Sequence, residues 1–558
     1  MKKNTPIMMF LIIITATLSF CYGQNTQHKI KKIDTLFSRW NEPHHPGGVV
    51  TIFRKDTLLF SKEYGMASIE YSVPNKINTI FNIGSIAKQF TALGIILLEK
   101  QKKLNINDDI RKHLPDFPDM GTTITIKHLL YHTSGIRDLH GLLALAGWRK
   151  NDVMNTHDIY RIIKKQKTLN YLPGEEFSYC NTGYILLAKI IENISHSTFS
   201  TWMKKNIFTP LGMQNTYIKD SHDALCTNTA TSYYGNKDFK QALDYWAYYG
   251  SGNIYSTTND LITWLKNFTS SSSRWKNSFT KLLVTGVLNN GTSTNYGFGI
   301  RVENHLNRKV IQHGGLVGGY RAIIRSYPEE DIHIVILSNY SGSDILSKTD
   351  IISQLLLDTK KHPVIENKKA VTSPEFTSLS KKQLSKFEGI YWNPTEKYGR
   401  TIYIKNDTLR YHRSANNEHS LLPLNTHTFL MENTENVQVQ FEMTNKHDQK
   451  MIVIIPNEPA TVFTYHSKKL KTNSLAQYIG SYYSEELKTT YSISLEDNTL
   501  YIEHIRHGKI KLMLLYNDIF SADWPINCLE VKRNKKGIIE GIKISNGRTR
   551  NVWFKKIK

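Results

Sequence analysis

The chain has 558 residues, 40% of them hydrophobic and 21% charged, with 71 Lys and Arg against 48 Asp and Glu for a formal net charge of +23. That length exceeds what one hydrophobic core can organise and predicts about two to four domains, while the apolar fraction excludes a disordered or fibrous chain. The basic balance invites a nucleic-acid reading, but the Lys residues are spread along the whole chain and no zinc-finger, RNA-binding or helix-turn-helix pattern occurs; the expectation is a basic solvated surface suited to an anionic cell envelope, with no nucleic-acid partner.

Lys2 and Lys3, an apolar run from Ile7 to Phe20 and the small residues Cys21 and Gly23 predict a cleavable signal peptide over residues 1–23, hence a periplasmic or secreted protein. The run is short for a membrane span and no other stretch approaches one, so no transmembrane span is expected in the mature chain. Lipid attachment at Cys21 ranks second, because the preceding Phe20 is bulky. Cys180, Cys226 and Cys528 remain, a set too sparse for a disulfide framework and without metal spacing; a Cys180–Cys226 pair stays open.

Val49 to Arg54, a Lys55-Asp56 turn and Thr57 to Tyr64 predict a β-hairpin. Gly84 ends an extended segment, and from Ser85 the apolar residues Phe90, Leu93, Ile96 and Leu97 recur at helical spacing. Thr122 to Gly135 reads as a short helix ending in a turn, residues 136–172 as helical and mixed in polarity, a candidate wall or lid. Leu172-Pro173-Gly174 is a sharp turn, and Thr182 to Ile194 a strongly apolar helix; another helix carries Trp264 and Leu265. Tyr296 to Val302, Val310 to His313, Arg321 to Tyr327 and Ile332 to Ser338 predict alternating strands, so that one sheet is closed by the two ends of the domain. Residues 358–375 are polar and Pro-containing and read as a linker. Beyond them Phe387-Glu-Gly389-Ile-Tyr391 recurs as Tyr478-Ile-Gly480-Ser-Tyr482, Ile402 and Leu409 recur as Ile493 and Leu500, and Phe429 as Phe520, all at one offset, which predicts two tandem antiparallel barrel-like units.

Ser85 and Lys88 lie one helical turn apart on one face, at a helix N-terminus. An amine kept partly desolvated can take the hydroxyl proton, which makes the pair an activated nucleophile. Alone the spacing means little, since Ser273/Lys276, Ser278/Lys281 and Ser378/Lys381 repeat it. Tyr179-x-Asn181 before a buried helix and His313-Gly314-Gly315, whose Gly pair follows a strand, complete an ordered set with few decoys. The aromatic run from Tyr245 to Tyr249 reads equally as pocket lining or packing.

With these three motifs the chain resembles the serine β-lactamase-like and penicillin-binding protein family, in the branch of class C β-lactamases, D-alanyl-D-alanine carboxypeptidases, D-aminopeptidases and esterases. The likeness runs over roughly residues 40–350 and includes Leu129-Leu130-Tyr131-His132-Thr133-Ser134-Gly135, Pro173-Gly174-Glu175, Phe208-Thr209-Pro210-Leu211-Gly212-Met213 and Tyr296-Gly297-Phe298-Gly299. It implies an α+β fold (an α/β sandwich), with an antiparallel sheet flanked by helices over 24–357, followed by all-β units at 376–470 and 471–558. It implies an acyl-enzyme on Ser85, Lys88 as its base and Tyr179 as proton shuttle. Asn181 is then expected to bind the substrate amide, and the N–H groups of Ser85 and of Leu316, after Gly315, the oxyanion. No cofactor or metal is expected. Many β-lactamases have Lys-Thr-Gly where His313-Gly314-Gly315 stands, and a neutral imidazole is a poorer carboxylate anchor. The expectation is therefore a peptidase or carboxypeptidase on peptidoglycan-type D-amino-acid peptides. The alternatives are an esterase, a class C-like β-lactamase or, in another class, an inert binding or regulatory module.

Overall fold

The structure, a computed structural model, describes residues 27–243, 246–357 and 376–558, less short stretches of the last span at 395–397, 415–416, 433, 435–436, 444–448, 456–459, 467–474 and 517. The expected signal peptide, the expected linker and Tyr245 lie outside the described residues. Within them, no helix is long and apolar enough to cross a membrane.

β-Branched runs separated by tight turns build one antiparallel sheet in the N-terminal domain. Its strands are β1 (Gly48–Arg54), β2 (Thr57–Tyr64), β3 (Arg301–His305), β4 (Arg308–Val317), β5 (Tyr320–Tyr327) and β6 (Ile332–Ser338), in the order β3-β4-β5-β6-β1-β2. The hairpin forms as expected, and β1 pairs with β6 from Gly48↔Ser338 to Arg54↔Ile332, so the two ends of the domain do close one sheet. Two expectations change. Tyr296–Ile300 is not strand but a bend, since β3 begins only at Arg301; and β6 is buried at every position rather than alternating. The second follows from packing: both faces of the sheet are covered, so neither side of a central strand meets water.

The helices that frame the sheet and the site include α1 (Ala87–Lys100), α2 (Ile126–Leu130), α3 (Leu139–Leu145), α4 (Thr156–Ile163), α5 (Asn181–Ser195), α6 (Thr258–Lys266) and α7 (Ile345–Leu356). On one face Val49, Val335 and Leu337 of the sheet share a core with Phe90 and Leu93 of α1, Leu187 of α5 and Trp264 of α6. On the other, Val50, Ile52, Ile334 and Ile336 pack against Ile352 and Leu356 of α7 and against Phe37 and Trp40. From Ala87 to Ile96 every residue of α1 is buried, including Lys88 and Gln89, so α1 is the axis of the domain.

Eight strands, β7–β14, from β7 (Gly389–Asn393) to β14 (Thr461–His466), close into one barrel, and eight more, β15–β22, from β15 (Gly480–Ser484) to β22 (Thr549–Lys556), close into another. The repeat read from sequence is structural. Ile402, Leu409 and Phe429 fill the first barrel as Ile493, Leu500 and Phe520 fill the second. The Tyr391 hydroxyl donates to Phe387 O at 2.8 Å, and its counterpart Tyr482 donates to Tyr478 O at 2.7 Å.

The second barrel holds the N-terminal domain tightly. Leu142 and Leu145 of α3 belong to the same apolar cluster as Tyr491, Ile502, Ile544 and Val552 of the barrel, and the Tyr491 hydroxyl donates to Leu145 O at 3.2 Å. The stretch 136–172, expected to be a helical wall or lid, is thus two short helices, α3 and α4, with α3 inserted into a barrel mouth. Beside it Arg137, with no exposed side-chain surface, pairs with Glu486 at 2.7 Å and donates to Arg550 O at 2.8 Å and Asn551 O at 3.1 Å. Removing one partner of a buried ion pair strands the other charge, which costs about 3–5 kcal/mol. Glu486→Leu is expected to lower stability by about 3 kcal/mol, the low end because Arg137 keeps its carbonyl partners; an unchanged thermal midpoint by calorimetry counts against this interface.

Candidate active site

Ser85 lies in a single 3₁₀ turn (Gly84–Ile86) that runs straight into α1, so its backbone N–H is among the unpaired donors of a helix start. Lys88 follows one turn later and is completely buried. Its Nζ lies 3.0 Å from Ser85 Oγ, 2.8 Å from Asn181 Oδ1 and 2.8 Å from Ser251 O. Burial drives its pKa well below the usual ammonium range, against the pull of the Asp138 carboxylate. A neutral amine has two N–H donors and one lone pair. The Asn181 and Ser251 oxygens can only accept, so they take both N–H groups, and the lone pair is left facing the Ser85 hydroxyl, the one partner able to donate. The geometry therefore sets the direction of proton transfer, from Ser85 to Lys88.

Tyr179 stands in the loop before α5, with Lys88 Nζ 4.7 Å from its ring centroid. Burial pushes the phenol pKa up, and the neighbouring Ser85 hydroxyl partly offsets that shift. Its buried hydroxyl closes no hydrogen bond of normal length and angle within the described residues, although the Ser85 and Tyr296 hydroxyls lie beside it. A protonated phenol with an open donor position, beside a neutral amine, is an acid next to a base. Under the phenol lies His132, its ring 4.4 Å from that of Tyr179. His132 Nδ1 accepts the Cys180 N–H at 3.0 Å, which places its proton on Nε2, and burial keeps the ring neutral. Sequence singled out His132 only as part of a phrase, since its role depends on a fold that turns it under Tyr179. Cys180 is a free thiol donating to Ile136 O at 3.3 Å; the Cys180–Cys226 pairing left open above does not form.

Asn181 opens α5, and both ends of its amide are engaged: Oδ1 on Lys88, Nδ2 on Asp138 Oδ2 at 3.0 Å. Asp138 Oδ2 also accepts the Asn181 N–H at 2.7 Å, while Oδ1 accepts the His140 N–H at 3.1 Å as the cap of α3. Buried though it is, its carboxyl is held below the usual carboxylate range by these donors and by Arg548. Asp138 and His140 carry no sequence motif, and the residues before α3 were read only as wall. The His140 ring stacks on Trp246 at 5.4 Å and bonds the Tyr248 hydroxyl at 2.7 Å. With Gly84, Ser85, Asn181 and Leu316 these three line a cleft of about 60 Å³. Trp246 and Tyr248 are thus pocket lining, whereas Tyr249 packs on Phe199 and donates to Glu192.

Opposite Ser85 runs the free edge of β4: β3 pairs with it only as far as Gln312, so His313 to Val317 face the 3₁₀ turn. The Gly314-Gly315 pair, expected after a strand ending at His313, lies inside one that continues to Val317. The approach is close enough to demand glycines. A Cβ on Gly315 would lie 2.0 Å from Ile83 O, and one on Gly84, whose φ is +53°, would lie 2.7 Å from Leu316 N. The Ser85 and Leu316 amides thereby come to opposite sides of one gap. His313 is elsewhere. It is buried beside Tyr179, its Nδ1–H donates to Gly314 O at 2.7 Å, and its Nε2 accepts the Tyr296 hydroxyl at 3.0 Å. Burial pulls its pKa down to about 3. A neutral ring with both nitrogens committed offers no donor to a substrate carboxylate, so His313 does not line the cleft as an anchor. Of the decoy pairs, Lys281 is tied to Glu99 and Ser273 donates to Asn267 at 2.8 Å, both away from the cleft.

A buried Ser-Lys pair at a helix start, a protonated Tyr beside it and the Leu316 amide facing it from β4 make an arrangement on an α/β sandwich that can support acyl transfer at a serine. The Beta-lactamase family pattern matches residues 33–356, and the chain belongs to that family, as a serine hydrolase-like enzyme. Penicillin-binding protein 4* of Bacillus subtilis (strain 168) is 31% identical over 380 residues, which cover 62% of this chain and 81% of that protein. The D-aminopeptidase of Gluconobacter oxydans (strain 621H) is 25% identical over 314 residues, 56% of this chain and 59% of that one. The octameric penicillin-binding protein homologue from Pyrococcus abyssi shares the fold with a TM-score of 0.54 at 23% identity, over 78% of this chain and 100% of that chain.

Gly315→Ala is expected to push β4 from the 3₁₀ turn and misplace the Leu316 amide, lowering acylation by about 10²–10³-fold. The check is the acylation rate of the folded variant against wild type, and equal rates would remove the two-amide gap from the chemistry.

Proposed function

We propose that the protein is an exported serine hydrolase that forms an acyl-enzyme on Ser85 and acts on amide or ester bonds of small acyl groups, peptidoglycan-type D-amino-acid peptides among them. One observation carries this reading: the lone pair of a buried, neutral Lys88 faces the Ser85 hydroxyl, while the Tyr179 hydroxyl waits unpartnered beside them. In this mechanism Ser85 Oγ attacks the carbonyl as its proton passes to Lys88. The tetrahedral oxyanion sits between the Ser85 and Leu316 amides, and Tyr179 gives its proton to the leaving group, then takes one from the deacylating water. The names of the relatives, a penicillin-binding protein and a D-aminopeptidase, support the peptide substrate, and the sequence before residue 24 supports export to the periplasm or beyond.

A second reading, a small-acyl esterase, is favoured by His313. A carboxypeptidase or β-lactamase must hold a substrate carboxylate, and His313 is neutral with both nitrogens engaged. The narrow cleft walled by Trp246 and Tyr248 supports a short acyl group under either reading.

The test is intact-mass spectrometry after incubation with penicillin and, separately, with a fluorophosphonate. Wild type is expected to gain one adduct on Ser85 with the fluorophosphonate and Ser85→Ala none; a wild-type protein that gains none is the inert module instead. A lasting penicillin adduct supports the peptidase, a transient one the β-lactamase, and no penicillin adduct with turnover of acetyl esters the esterase. Because Lys88 acts as a base, labelling is expected to rise with pH through its lowered pKa and fall in acid as Lys88 is protonated. Lys88→Met is expected to slow labelling about 10²–10⁴-fold and to remove that acid limb.

A further inference from the structure

The turn between β21 (Ile539–Asn546) and β22 reaches out of the second barrel into the loops that carry the site. Arg548, at its tip, donates to Tyr179 O at 2.9 Å, its guanidinium carbon lies 5.4 Å from the Tyr179 ring centroid, and it stands 3.6 Å from Asp138 Oδ1. Its own carbonyl accepts from Asp138 N at 3.2 Å and from Asn170 Nδ2 at 2.8 Å, and the next residue, Thr549, donates to Asp138 O at 2.7 Å. We propose that the second barrel completes the active site. On this proposal Arg548 is a positioning residue that fixes the main chain of Tyr179 and offsets the Asp138 carboxylate beside Lys88.

Lys88 needs such an offset. One asparagine separates it from Asp138, which is 2% exposed and ionised, and a lone buried carboxylate at that range favours the ammonium form, which cannot act as a base. Around Lys88, Asp138 favours its protonation, Arg548 opposes it, and the Cys180 thiol, His132, His313 and the Tyr179 phenol face it uncharged. Within the described residues Asp138 has ion-pair contacts only with His140 and Arg548, and of these only Arg548 is charged at every pH. The same guanidinium holds the carbonyl of Tyr179, so one side chain couples the placement of the acid to the proton affinity of the base. A residue that merely docked the barrel would be served as well by the Thr549 and Asn170 bonds, which carry no charge.

The proposal rests on the reading of Ser85 as nucleophile, and its test keeps the two apart. Ser85 labelling by a fluorophosphonate is followed against pH in full-length wild type, Arg548→Gln and Arg548→Lys, with thermal unfolding confirming the fold of each. In Arg548→Gln the acid limb is expected to move up by about one pH unit, so that labelling below it is about tenfold slower. Arg548→Lys keeps the charge and is expected to retain the wild-type limb while labelling more slowly, because an ammonium cannot reproduce the guanidinium contacts with Tyr179 and Asp138 together. A folded Arg548→Gln variant whose rate and limb superimpose on wild type overturns the proposal. Where Arg548→Gln fails to fold, Arg548→Lys decides: slower labelling with the limb in place supports the proposal, and wild-type rates at every pH overturn it. Wild type that takes no label overturns the nucleophile reading, and the proposal with it.

Discussion

Everything in the N-terminal domain turns on one buried amine. Taking a lysine ammonium out of water with no carboxylate in contact is costly, so burial favours Lys88 as a neutral group with each polar atom matched. Three distant segments supply the partners: Ser85 one turn back, Asn181 at the start of α5, and the Ser251 carbonyl before α6. To bring them together, α1 must sit between the sheet and the other helices, which is why it is buried from Ala87 to Ile96 and apolar nearly all round. Packing and chemistry here are one requirement, since the burial that orders the core also strips the proton from the base.

The same logic separates the two tyrosine and lysine pKa values. Burial destabilises whichever form is charged, so it lowers the affinity of an amine for its proton and raises that of a phenol. Lys88 and Tyr179 share one buried space and are pushed in opposite directions by it, leaving a base and an acid side by side. Asp138 is the disturbing element, ionised and close by. Its many donors keep it ionised, and the cation that answers it arrives from a different domain.

Much of this architecture was legible in the sequence. The hairpin at Val49–Tyr64, the closure of the sheet by its two ends and the repeat of Phe387–Tyr391 at Tyr478–Tyr482 are local patterns or fixed offsets, and each reappears in the structure. Ser85, Lys88, Tyr179 and Asn181 were legible because each sits at a local signal, a helix start or a loop before an apolar helix, and the structure gathers them within hydrogen-bond or ring contact. What escaped was whatever depends on long-range approach. Asp138 and His140 look like ordinary polar residues of a helical wall until α3 inserts into the barrel. Arg548 lies 369 residues beyond Tyr179, in a hairpin turn that reads as surface. His313 looked like an anchor because its place in the strand was visible, while the Tyr296 hydroxyl that occupies its outer nitrogen was not.

The two barrels descend from one sequence pattern yet stand in different relations to the site. The first meets the second through a small apolar contact of Trp392 with Leu515 and Cys528, and its own interior is closed by its own side chains. The second admits Leu142 and Leu145 from α3 and pairs Glu486 with a fully buried Arg137, so its separation from the domain would expose apolar surface and strand a charge at once. An interface of that kind is rigid rather than hinged. A turn carried on a rigid interface can hold Tyr179 in place as firmly as the strands of the main sheet hold the Leu316 amide. The edge of β4 then lines the cleft at Leu316, with Ser85, Asn181, His140, Trp246 and Tyr248, while the turn of the second barrel acts on it from outside, through the main chain of Tyr179.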